Sequence, residues 1–205
     1  MFFLIALFII VFSANIIANE YNWGTIRQLF IKPVNRTELF FVKYISTVIA
    51  TIILSTLFFV ATILLGYVFF GGNSTSIYEV VVNNGNIKME NMLVSTIQTT
   101  AINIFIIFVL SAVSICIASI LRNNTLAIII SLGTWWIGIF IGESLKNNVF
   151  YKYFLTPNLS LEGYLSEGAV PYSGGTMEKS IVICMVYLIV LLIVGRYFFA
   201  KKDVY

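Results

Sequence analysis

The sequence has no histidine, three prolines and two cysteines, and only 10% of its residues are charged. Without histidine, the commonest metal ligand and the usual general base near neutral pH are both missing. Cys116 and Cys184 each stand alone in an apolar run, a placement that suggests neither a disulfide framework nor a metal site and leaves them as small packing residues. The pattern G-x-x-x-x-G-K-[ST], which cradles nucleotide phosphates, occurs nowhere. What is abundant is hydrocarbon: 60% of residues are hydrophobic, 16% are aromatic, and the mean hydropathy is +0.97. Water is not the main solvent of such a chain.

A crossing takes roughly 20 apolar residues, so 205 residues accommodate five spans and their loops. The hydrophobic runs predict spans at about 1–19, 40–70, 96–121, 125–142 and 177–199. Backbone N–H and C=O groups cannot be left unpaired in lipid, so runs of this length must be helices. The expected fold is an all-α, polytopic helical membrane protein, a single transmembrane domain over 1–205. A short cytoplasmic segment, 20–37, and two external segments, 71–95 and 143–178, join the spans.

Lysine and arginine near span ends are retained on the cytoplasmic side. Alternate loops divide the charges unevenly. One side holds Arg27, Lys32, Arg36, Lys43, Arg122, Arg196, Lys201 and Lys202 against Glu20, Glu38 and Asp203. The other holds Lys88, Lys146, Lys152 and Lys179 against Glu79, Glu90, Glu143, Glu162, Glu167 and Glu178. One five-span threading puts all the basic regions together, which predicts a cytoplasmic C-terminus and an external Met1. An external start at the edge of a span has nothing before it to place it outside. No basic n-region or small-residue cleavage pattern marks a signal peptide either. We therefore expect a preceding span to be missing from this chain, with a five-span protein as the alternative.

Residues 71–95, with Gly71, Gly72, Asn73, Ser74 and Thr75 and later Asn83, Asn84 and Gly85, read as turns and a polar excursion. Residues 143–178 are richer in apolar and aromatic groups, among them Phe150, Tyr151, Tyr153, Phe154, Leu159, Leu161 and Tyr164. That composition predicts short helices at or dipping into the outer interface, where tyrosine's ring and hydroxyl both find partners.

The densest charge lies in EYNWGTIRQLFIKPVNRTELFFVK, from Glu20 to Lys43. Trp23, Ile26, Leu29 and Phe30 recur at helical spacing, with Arg27, Gln28 and Lys32 on other sides. Pro33 ends or bends this short helix. Asn35 or Thr37 then caps the next one, with Glu38 in its first turn. A rigid cytoplasmic knob of this kind suits receipt of force from a soluble partner; an interfacial helix with snorkelling basic groups is the alternative.

The run from Ala18 through Glu20, Gly24, Thr25, Arg27, Gln28, Pro33, Arg36 and Lys43, spaced E-x3-GT-x-R-x5-P-x2-R-x6-K, resembles the loop after the second span of ABC-2 type transporter permeases. These are bacterial exporter subunits that pair with a separate ATP-binding protein. The resemblance implies that this loop holds a coupling helix seated in a groove of the ATPase. Carried over by position, Glu20 anchors its membrane end, and Gly24 and Thr25 start its exposed turn. Arg27, Gln28 and Leu29 face the ATPase, while Pro33 and Arg36 shape the return. The family also has a polar excursion after its third span and short re-entrant helices between its last two. Its members usually have six spans, so this chain departs from the pattern at its N-terminus, where the loop follows the first span.

The spans carry no charge at mid-depth, which disfavours ion-coupled transport, and no ligand set or acid pair for intramembrane proteolysis. Gly138 and Gly142, and the stripe Ser111, Ser114 and Ala118, permit close helix approach. For both we expect packing within the chain rather than a dimer seam, and packing likewise for Trp135 and Trp136, which lie too deep for an interfacial belt. The resulting expectation is the permease subunit of an ATP-binding cassette exporter for an amphipathic or hydrophobic peptide, antibiotic or lipid. It would carry no ATPase site or cofactor of its own; ATP and magnesium would sit in a P-loop partner subunit, and a second permease chain would complete a dimer. The alternative is a non-transporting receptor or immunity protein that binds a peptide or lipid at 143–178.

Overall fold

The computed structural model describes residues 2–22, 35–70, 78–83, 86–121, 123–144, 149–165 and 175–201. Among them are five helices long and apolar enough to cross a membrane. They are α1 (Phe2–Asn22), α2 (Arg36–Phe70), α3 (Met92–Leu121), α4 (Asn124–Ser144) and α5 (Met177–Lys201). Each expected span maps onto one of them, and α2 and α3 begin earlier than the hydrophobic runs, at Arg36 and Met92. Hydrogen bonding along a helix does not stop where the apolar run does, so polar first turns extend the cylinder.

Helices α1 and α3 form the centre. α1 packs on α2, α3 and α4, and α3 also packs on α2, α4 and α5. The buried positions on α1, including Ile5, Ile9, Ile10, Ala14, Ile17 and Ala18, recur at helical spacing. On α3, Ser111, Ser114 and Ala118 are all at most 1% exposed, so the small-residue stripe packs inside the chain as expected. The outer helices turn Ile49, Leu57 and Leu64 of α2, Ile130, Ile137 and Phe140 of α4, and Val186, Ile189 and Ile193 of α5 outward. Lipid is as apolar as these side chains, so burial of hydrocarbon does not drive the bundle together; close packing and hydrogen bonding do. Several buried hydroxyls are satisfied within their own helix. Ser13, Thr51, Ser114 and Ser119 each donate to the carbonyl four residues back, at 2.7, 2.8, 3.1 and 2.8 Å respectively.

The polar excursion contains something turn signals alone did not predict. Strands β1 (Tyr78–Asn83) and β2 (Asn86–Asn91) form an antiparallel hairpin, with Tyr78 opposite Asn91 and Asn83 opposite Asn86. The two intervening residues are Asn84 and Gly85, the dipeptide most favoured in two-residue hairpin loops. It is the one sheet among the described residues of an otherwise helical fold. At the opposite end, α3 stops at Leu121 and α4 starts at Asn124. Asn123 caps α4, its Oδ1 accepting from Leu126 N at 3.3 Å and its carbonyl from Ala127 N at 2.9 Å. Asn123→Ala is expected to cost about 1 kcal/mol in thermal unfolding of the detergent-solubilised chain, and Asn123→Asp almost nothing.

Candidate functional site

Of the residues expected to dock an ATPase, Gly24, Thr25, Arg27, Gln28, Leu29 and Pro33 lie outside the described residues, as does the amphipathic pattern from Trp23 to Phe30. Glu20 falls in the last turns of α1, and Arg36 opens α2. The structure therefore describes the frame that holds the two ends of segment 20–37. Asn35 takes the cap position of α2: its carbonyl accepts from Leu39 N at 3.2 Å, and its Nδ2 donates to Glu38 Oε1 at 2.8 Å.

One turn further along α2, two side chains tie this frame to the rest of the bundle. Lys43, only 9% exposed, donates from Nζ to Ile16 O at 3.0 Å, in the C-terminal half of α1. Phe40 is fully buried with its ring 5.9 Å from that of Phe199 on α5. A Cβ added at Gly195 would come within 2.9 Å of Phe40 Cζ and 3.3 Å of Cys116 Cα. The absence of a side chain at 195 is what lets α2, α3 and α5 meet here. Beside this junction, Thr37, Ile193, Arg196, Tyr197 and Lys201 line a cavity of about 380 Å³. Lys201 Nζ donates to Tyr197 Oη at 2.6 Å. The end of the bundle that carries segment 20–37 thus also presents two cations in an open groove.

At the hairpin end, the expected interfacial segment forms three short helices, Val149–Tyr153, Leu155–Asn158 and Leu161–Tyr164. Four contacts seat it on the spans. Asn103 Nδ2, buried within α3, donates to Glu162 Oε1. The Tyr164 and Ser180 hydroxyls are 2.8 Å apart, and Tyr187 Oη donates to Tyr153 O at 3.1 Å. Gly138 of α4 lies directly beneath the Thr156 methyl group, so the first glycine of the G-x-x-x-G pair serves packing within the chain, against the short helices rather than another span. Trp135 packs on Phe3 at 5.3 Å between ring centroids, and Trp136 meets the same ring edge-on at 6.0 Å. Cys116 and Cys184 are free and buried.

Sequence reasoning missed Gly195, Asn103 and the Lys43 contact. Asn103 carried a signal, as a lone amide in an apolar run. Gly195 carried only its size, and Lys43 looked like an ordinary span-end cation. Among the described residues, no cluster of three metal-ligating side chains occurs.

These features define a multi-pass helical membrane protein whose polar contacts gather at the two ends of the bundle. The chain belongs to the family described as protein of unknown function DUF2705, whose model matches residues 1–205. It is 29% identical over 207 residues to the uncharacterized protein YhcI of Bacillus subtilis (strain 168), a match covering 98% of this chain and 65% of that protein. It is 26% identical over 197 residues to the uncharacterized membrane protein YdbK of the same organism, covering 95% of this chain and 76% of YdbK. No solved structure matches.

Proposed function

We infer that this chain is the membrane-spanning subunit of an ATP-driven exporter in a bacterial plasma membrane, with segment 20–37 receiving a separate P-loop ATPase on the cytoplasmic side. The observation that carries this reading is the frame around that segment. It leaves α1, one of the two central helices, and enters α2, whose first turns are fastened to α1 through Lys43 and to α5 through Phe40 and Phe199. Force delivered to Asn22 and Asn35 would pass along α1 and α2 into the packed centre, as a two-state bundle requires. The resemblance of the segment to ABC-2 permease coupling loops and the adjacent Arg196 and Lys201 support the same reading. The cargo would be amphipathic or hydrophobic, since the spans hold no charge at mid-depth, and a second permease chain would complete the pathway.

The test is co-purification of the tagged chain with the ATPases of its host in mild detergent. The wild type is expected to retain a P-loop subunit. Arg27→Glu, which reverses a charge on the docking face, and Gly24→Pro are expected to lose it while the chain stays folded. A folded wild type that retains no ATPase would turn the assignment to a stand-alone receptor or immunity protein.

A further inference from the structure

At the hairpin end, between the short helices and the first turns of α5, lies a cavity of about 330 Å³. Its lining includes Lys152, Tyr153, Asn158, Lys179, Ser180 and Ile183. Asn158 is 1% exposed, and its Nδ2 donates to Lys152 O at 2.8 Å and Phe154 O at 2.7 Å. Both partners are carbonyl oxygens, so the amide cannot be turned the other way without setting oxygen against oxygen. Asn158 Oδ1 is thereby committed as an acceptor, and it has no partner. Four buried side-chain oxygens among the described residues lack a partner, and Asn158 Oδ1 is the one whose residue lines this cavity.

The charges point the same way. Lys152 and Lys179 are exposed, and they belong to the side of the protein where bases are scarce, four against six acids. Retention of cations on the cytoplasmic side does not account for lysines there. Two of those four nevertheless line one cavity, at the positive end of the α5 dipole. Glu178 does not line it. From the mouth, the outward face of α5 continues as Val182, Val186, Ile189 and Ile193, an apolar track along the span.

We propose that this cavity is a phospholipid headgroup site, in which Lys152 and Lys179 hold the phosphate and Asn158 Oδ1 accepts from a hydroxyl or ammonium N–H on the same headgroup. The volume admits a headgroup and not a whole lipid, which leaves the acyl chains to lie along α5. That apolar track favours a lipid over free phosphate. The site stands whether or not the chain is an exporter subunit, because none of its residues belongs to segment 20–37.

The experiment uses the full chain in mild detergent, with lipid binding followed by native mass spectrometry. Phosphatidylglycerol and phosphatidylethanolamine offer a donor to Asn158 Oδ1; phosphatidylcholine, with a trimethylated nitrogen, offers none. The first two are expected to bind roughly tenfold more tightly than phosphatidylcholine, and Lys152→Gln with Lys179→Gln to weaken them by a similar factor, the loss of charge-assisted bonds. Ile183→Trp, which fills the cavity, is expected to do the same while leaving the lipid-free unfolding temperature close to wild type. Equal binding of phosphatidylcholine, or unchanged binding in the double lysine variant, overturns the site. Binding of inorganic phosphate that the lysine changes abolish, with no lipid retained, would keep the phosphate chemistry and overturn the lipid as its source.

Discussion

Gly195→Leu is expected to unfold the helix bundle at a markedly lower temperature than wild type. A β-carbon there meets the Phe40 ring at 2.9 and 3.2 Å and the Cα of Cys116 at 3.3 Å. The ring cannot swing aside freely, because Phe40 is fully buried between Phe199 at 5.9 Å and Phe41 at 5.7 Å. The α3 backbone cannot withdraw without opening the central packing. Leucine adds three further carbons to this space, and overpacking on that scale costs about 3 kcal/mol. Alanine, whose β-carbon alone must displace the Phe40 ring, should cost about 1 kcal/mol. Gly66 provides the control. Nothing lies within 4 Å of a Cβ built there, so Gly66→Ala should be neutral or stabilising. Thermal unfolding in detergent, followed by intrinsic fluorescence, ranks the three. If Gly195→Leu unfolds at the wild-type temperature, α5 does not approach α2 and α3 as described.

Lys43→Glu is the second. The lysine ammonium donates to Ile16 O, in the C-terminal half of α1, at 3.0 Å. A carboxylate in its place would face acceptors with no donor to offer, at a position almost closed to water. Leaving a charge buried without compensation costs about 3 kcal/mol or more. Lys43→Met keeps the apolar stem and removes only the charged head, so about 1 kcal/mol is expected. The gap between the two variants measures the electrostatic part. Equal melting temperatures for Glu and Met would mean that packing of the stem, and not the ammonium, holds α1 to α2. If segment 20–37 docks an ATPase, Lys43→Met should also weaken the coupling of hydrolysis to transport more than it weakens docking, because Lys43 lies in the frame and not in the segment.

The five helices could be read from composition because of a strong constraint: lipid offers no hydrogen bonds, so a long apolar run has helix as its one solution. The short helices between α4 and α5 were readable for a related reason, since tyrosines interleaved with leucines need both an apolar and a polar partner. The hairpin at 78–91 was not, although Asn84-Gly85 pointed to it. Its period-two pattern, with Val80, Val82, Ile87 and Met89 on one face, runs for only six residues per strand, too short to stand out beside the polar turn residues around it. The stripe Ser111, Ser114 and Ala118 announced a close approach but not its partners. Gly138 meets Thr156 of a short helix, a contact that its spacing from Gly142 does not encode.

Sequence alone shows which runs are long and apolar enough to cross a membrane and where the charge collects. These are local properties, governed by the cost of charge and of unpaired backbone in hydrocarbon. Which helices lie at the centre, which glycine carries the junction of α2, α3 and α5, and the convergence of Lys152, Asn158 and Lys179 on one cavity are set by the three-dimensional packing. Each depends on side chains far apart in the chain, and in lipid every helix face is nearly as apolar as every other. The choice among faces then rests on shape and on a few buried hydrogen bonds, and these exist only once the helices have met.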